Sequence, residues 1–216
     1  MTRVTELSDL PELTAATVRD LVGRAVLDGV RLDGADLSGV SVAQVRMLEC
    51  ALVDCTADTA ELPGVTAVDV YVGGLKAQTL GFKEGDWRDA TWADMRVGAL
   101  LADGGELTDV TIRDSRIDLL SLRGTHIRRL TLSNCRVDTL DVSMATIEDL
   151  AVHGGTVGEL LSDGARMTRV DVSDTALGAV GHPGSLRGLV LSSEQIDDIA
   201  PALATYLGID VHDSTE

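Results

Sequence analysis

The side chains best suited to chemistry are charged and recur at a fixed interval. Lys76, Arg96, Arg116 and Arg136 are spaced by twenty residues. Brought into one column, four cations would repel one another and would attract an acidic partner. Asp118 and Asp138 follow Arg116 and Arg136 by two residues and are placed to neutralise the middle of such a stripe. The other reactive residue types do not assemble. His126, His153, His182 and His212 are scattered, with no second ligand in register, and suggest no metal site. Cys50, Cys55 and Cys135 include no CxxC pair and read as small, reduced core residues of a cytoplasmic protein. No nucleophile elbow, phosphate-cradling glycine loop or zinc spacing occurs. Carboxylates are abundant, so Asp118 beside Asp138 carries no acid–base signal. The chain therefore reads as a non-enzyme with neither cofactor nor metal.

The elements that position the cationic stripe are set by an apolar period of five. Leu107, Ile112, Ile117, Leu122, Ile127 and Leu132 open a series that continues through Val137, Val142, Ile147, Val152 and Val157. A five-residue step turns an α-helix by about 140°, which builds no stripe. In a straight strand the same step moves the side chain to the opposite face. The chain must therefore turn a corner in every pentad and wind as a solenoid of stacked coils. The phase holds across residues 27–177, with Ser162 its one polar intrusion.

A second restricted position lies two residues before each of these centres. From residue 105 it alternates small and large: Gly105, Val110, Ser115, Leu120, Thr125, Leu130. Stacked coils keep like volumes in one column, which requires an even number of sides. Two sides leave little room for a continuous core, so four sides and twenty residues per coil follow. Leu80, Leu100, Leu120, Leu140, Leu160 and Val180 then form one interior ladder. On the surface, Asp109, Arg129 and Asp149 stack as alternating charges, and Arg128 sits below Glu148.

Two inward positions per five residues, with the run VRLDG-ADLSG-VSV at 30–42, resembles the pentapeptide repeat family. Residues 35–39, ADLSG, match its Ala/Val/Ser, Asp/Asn, Leu/Phe core. The resemblance covers roughly residues 27–180 by phase and is loose by letter. It implies an all-β solenoid: a right-handed quadrilateral β-helix of about eight coils, near 37 Å long at about 4.8 Å per coil. It also implies a homodimer through the C-terminal helix. Some family members mimic duplex DNA, bind type II topoisomerases and confer quinolone resistance. A net charge of −17 allows that role, whereas the basic stripe interrupts any uniformly acidic face.

Three segments follow. Residues 1–25 lie outside the register and form an N-terminal cap, as a short helix or irregular structure carrying Leu10, Leu13, Val18, Leu21 and Val22. Residues 26–180 form the β-helix. Only 2% of residues are aromatic, against 44% hydrophobic overall, which suits a narrow aliphatic interior. Phe82, Trp87 and Trp92 are read as stacked inside one widened stretch rich in glycine. Residues 181–216 form a helical cap. Ser192 and Gln195 make a capping box, Gly208 is a stop, and Ile196, Ile199, Leu203 and Leu207 recur at helical spacing. Pro201 either kinks this helix or begins a second, and residues 209–211 add a short strand. The start of the chain lacks a secretory apolar core, and no apolar run is long enough for a membrane span. Net negative charge argues against direct nucleic-acid binding. The reading is a rigid scaffold that binds another protein of unknown identity. Mimicry of DNA toward gyrase is the alternative.

Overall fold

The structure is a computed structural model and describes residues 6–211. A parallel β-solenoid of about nine turns fills most of it, followed by a single C-terminal helix. The extra turn relative to the pentad count arises at the ends. Thr14–Ala15 pairs in parallel with Val30–Asp33, and Leu189–Val190 pairs with Val170–Val180, although neither short strand keeps the five-residue phase.

Strands of eight residues alternate with strands of six. Arg46–Val53, Thr66–Gly73, Asp86–Ala93, Glu106–Arg113 and His126–Ser133 form one stack. Thr56–Glu61, Lys76–Gly81, Arg96–Leu101, Arg116–Ser121 and Arg136–Asp141 form the other. Each residue pairs with the residue twenty further on. Leu80 lies beside Leu100, Leu100 beside Leu120, Leu120 beside Leu140, Leu140 beside Leu160, and Leu160 beside Val180. The ladder from Leu100 to Leu160 is fully buried. Apolar burial drives this stacking, and a parallel ladder satisfies the backbone of each coil on both sides.

The corners follow a rule of their own. Nearly all backbones in the left-handed region belong to residues numbered in 4 or 9, with Gly155, Gly188 and Gly208 the exceptions. Gly, Asp and Asn tolerate that conformation best, and they fill most of these sites: Gly34, Asp54, Gly74, Asp94, Asp114, Asn134 and Gly154 form one such column. Eight of the chain's 35 acidic residues take this conformation among the described residues, so part of its acidity is corner chemistry. In the column Thr59, Thr79, Ala99, Leu119 and Thr139, the backbone has no positive φ, and β-branched residues are accommodated.

The three aromatic rings lie inside. Phe82, Trp87 and Trp92 are nearly inaccessible, with centroids 4.7, 5.7 and 5.0 Å apart. Small neighbours make the room. Ala67 lies beneath Trp87, and a Cβ on Gly85 would stand 3.3 Å from the Trp87 indole nitrogen and 2.7 Å from the Phe82 carbonyl oxygen.

The two ends depart from the repeat. At the N-terminus the expected cap divides into two parts. Val18 and Leu21 pack against the open end of the core, after single helical turns at Leu7–Asp9 and Val18–Asp20. Residues 6–13 instead lie on the outside of the solenoid, where Leu10 is buried with Ala51, Tyr71 and Ala93. At the C-terminus Ser193–Leu207 is one helix that continues through Pro201. Ser192 Oγ accepts from the Gln195 backbone, and Gln195 Oε1 accepts from the Ser192 backbone. Gly208 ends the helix in the left-handed conformation with φ 69°. Residues 209–211 form no strand, which corrects the expectation from sequence: the left-handed Gly208 closes the helix, and Ile209 N is spent on the Ala204 carbonyl instead of a strand partner.

Candidate functional site

The cationic column is assembled in register. Lys76 pairs with Arg96, Arg96 with Arg116, and Arg116 with Arg136, at the first position of four successive six-residue strands. Asp118 stands 3.5 Å from Arg116, and Asp138 stands 3.3 Å from Arg136. Both pairs are exposed, so each contributes little to stability. Among the described residues, Lys76 and Arg96 have no carboxylate within ion-pair distance. The neutralised half of the stripe is thus its upper half, and the lower half is left positive.

A shallow open groove runs beside the stripe. Arg96, Arg116 and Arg136 form one wall, and Asp94, Asp114 and Asn134 form the other. The second wall is the left-handed corner column. Ser115 lies at the floor, donating to the Arg113 carbonyl at 2.7 Å and accepting from the Met95 backbone at 3.0 Å. It is fully used by the backbone and offers no free nucleophile.

Other charged columns are ion-paired ladders. Arg129 grips Asp109 with two bonds, and Arg128 bridges Glu106 at 2.8 Å and Glu148 at 3.3 Å. Asp149 turns to Arg169 instead of Arg129, because a register shift beside Arg128 displaces it. Asp141 is buried. Burial alone would raise its pKa, but bonds from Ser143 and Arg123 outweigh that and hold its carboxyl below the usual range. Asp69 behaves in the opposite way. Burial, with Asp89 and Glu49 nearby, raises its pKa, and its Oδ1 has no hydrogen-bond partner.

The cysteines are free and buried, and burial pushes each thiol above its ordinary value. Their Sγ atoms donate to carbonyls one coil below, as Cys135 does to Ile112. His153 approaches Asp174 at 3.8 Å, and His182 meets the edge of Tyr206 at 5.3 Å. His212 lies outside the described residues. Among those residues, no three His, Cys, Asp or Glu side chains converge in a way that could hold a metal. No helix among them is long and apolar enough to cross a membrane.

The helix residues divide between two environments. Ile199 is buried and Leu203 is half-buried, whereas Ile196 and Leu207 are 44% and 64% exposed. Gln195 anchors the helix, donating to the carbonyls of Val172 at 2.7 Å and Thr175 at 2.8 Å. Tyr206, Ile209 and Val211 extend the exposed apolar surface.

Sequence reasoning missed one surface altogether: the outward residues Ala51, Val53, Tyr71 and Ala93 under residues 6–13. Small or apolar residues at outward positions, spaced by twenty, were the available signal.

No protein-family model matches the chain, and no curated protein matches it. Its fold is established by its own register alone.

Proposed function

We propose that this chain is a divergent pentapeptide repeat protein of the cytoplasm, acting as a rigid, non-enzymatic surface that binds another protein. The observation that carries the reading is the cationic column, which stacks four like charges about 4.8 Å apart at a cost in repulsion. Nothing in the folding of the coil requires Lys76 and Arg96 to be cations, so a partner that supplies acidic groups accounts for them. A solenoid holds such a row at constant spacing with little conformational entropy left to lose on binding. The test compares proteins captured from a native lysate by the wild-type chain and by a variant with Arg96→Ser, Arg116→Ser and Arg136→Ser. Loss of a specific acidic partner supports the reading. An unchanged set of partners ends it.

Two further features bear on partners. The exposed Ile196, Tyr206, Leu207, Ile209 and Val211 favour a homodimer through the C-terminal helix. Light scattering coupled to size exclusion would show it, and Ile196→Asp with Leu207→Asp should return a monomer. The net charge of −17 favours mimicry of duplex DNA toward gyrase as the alternative, although in the column Glu49, Asp69 and Asp89 the middle carboxylate is buried and adds nothing to an acidic surface. Purified gyrase that supercoils normally with the protein present, and stays sensitive to a quinolone, would dispose of that alternative.

A further inference from the structure

Residues 6–13 do not add a strand to the solenoid. They climb across its strands. Thr14 is tied to the first coil by its bond to the Gly29 carbonyl, while Glu6 reaches Arg113 at 2.8 Å. Arg113 stands four coils above Asp33, about 19 Å along the axis. Between Glu6 and Leu13 the described backbone bonds are internal to one turn: Asp9 to the Glu6 carbonyl and Leu10 to the Leu7 carbonyl. The described contacts that hold the segment to the coils include Leu10 against Ala51, Tyr71 and Ala93, with Leu7 and Leu13 alongside, and the Glu6–Arg113 pair.

The surface beneath is shaped for this contact. Tyr71 faces outward and lies across Gly73, where a Cβ would stand 2.5 Å from the ring. Ala51 and Ala93 flank it and are fully buried under the segment. The result is an apolar groove on an outer face, closed at its upper end by the Arg113 guanidinium, which Glu6 and Asp114 share through its two terminal nitrogens. This cluster is separate from the main core and lies on the outer side of the same strands.

We propose that this face is a docking groove for an acidic peptide segment of a protein partner, bearing leucines three residues apart, and that residues 6–13 occupy it in cis until displaced. The seated segment shows what the groove accepts: Leu7, Leu10 and Leu13 along the apolar floor and a carboxylate on Arg113. The groove lies across the Asp94–Asp114 corner from the cationic column, and Asp114 borders both, lining the cationic groove and pairing with Arg113 at 3.0 Å.

The probe is a fluorescent peptide with the sequence of residues 6–14, added in trans to the full chain. In a Leu10→Asp chain the cis segment cannot seat, and the peptide should bind at least about tenfold more tightly than to the wild type. Adding Tyr71→Ser should reverse that gain. Equal binding to wild type and Leu10→Asp, no binding to a folded Leu10→Asp chain, or indifference to Tyr71→Ser would overturn the proposal. So would a concentration-dependent dimer of the Leu10→Asp chain that excludes the peptide, since it assigns the groove to a second copy. Should Leu10→Asp fail to fold, Ala93→Cys in the otherwise native chain supplies the answer. Its thiol should be labelled far faster than Cys50, Cys55 or Cys135. Labelling as slow as theirs means that the segment does not leave, and the proposal fails.

Discussion

The coils spanning residues 107–157 and the cap that follows residue 180 bury apolar side chains by different means. In the coils, every inward residue has a vertical neighbour of similar size, and the backbone of each coil is bonded on both sides. In the cap, one helix is tied to the solenoid through Gln195, with Ile199 buried and Leu203 half-buried, and leaves Ile196, Tyr206 and Leu207 outside. The coils are held by repetition, so a single defect is shared by three layers. The cap is held by a few local contacts, so a defect there stays local.

The sharpest way to break this contrast is to cut one side chain in each region. Leu120→Ala opens a cavity between two identical leucines and should lower unfolding free energy by about 2–5 kcal/mol. Ile199→Ala should cost no more than about 2 kcal/mol, because the site can collapse or hydrate. Urea titration measures both. Similar losses would mean that the cap is as integral as the coils.

Glycines sharpen the same comparison. At Gly155 the backbone has φ 71°, and a Cβ would stand 2.0 Å from the Cys135 carbonyl oxygen of the coil below. Gly155→Ala should cost about 2–4 kcal/mol from strain and overpacking together. Gly208 has nearly the same φ but open space around it. Gly208→Ala should cost only about 1 kcal/mol.

Two buried carboxylates give opposite pH signatures. The Asp141 pKa is depressed in the fold, so its contribution is present above its unfolded pKa and is lost as pH falls through the folded value. Asp141→Asn should therefore cost about 1–2 kcal/mol at neutral pH, and the gap to wild type should close in acid. The Asp69 pKa is raised, so its ionised form opposes folding, and that opposition fades as pH falls through the folded value. Asp69→Asn should be neutral or stabilising by up to about 1 kcal/mol at neutral pH, since Asn also suits a backbone at φ 55°. Thermal unfolding across the acid range would reveal both.

The contrast between regions also explains what could be read in advance. The centres from Leu27 to Leu177 were legible because a solenoid repeats one environment, and Leu120 beside Leu140 followed from arithmetic. The helix was legible through Ser192, Gln195 and Gly208, whose chemistry is local. The left-handed corners were legible and overlooked: Gly34, Asp54, Gly74, Asp94 and Asp114 recur by twenty, as the interior ladder does. Residues 6–13 were not legible. Their partners, Tyr71, Ala93 and Arg113, are distant in sequence, and the few apolar outward residues around Ala51 and Val53 show where a cover would sit but not which segment supplies it. The cationic stripe was legible as a column, but its groove was not, because the opposite wall of Asp94, Asp114 and Asn134 is set by backbone conformation.

Cysteine cross-linking at the surface tests the twenty-residue coil most directly. Arg116→Cys with Arg136→Cys places two exposed thiols on directly paired residues, within the separation a disulfide spans. Arg116→Cys with Thr131→Cys gives a spacing of fifteen, as a three-sided coil would require. Mild oxidation of the folded chain should close the first pair rapidly and leave the second open, with the three native thiols buried and silent. Closure of the fifteen-residue pair, or equal rates for both, would contradict the account.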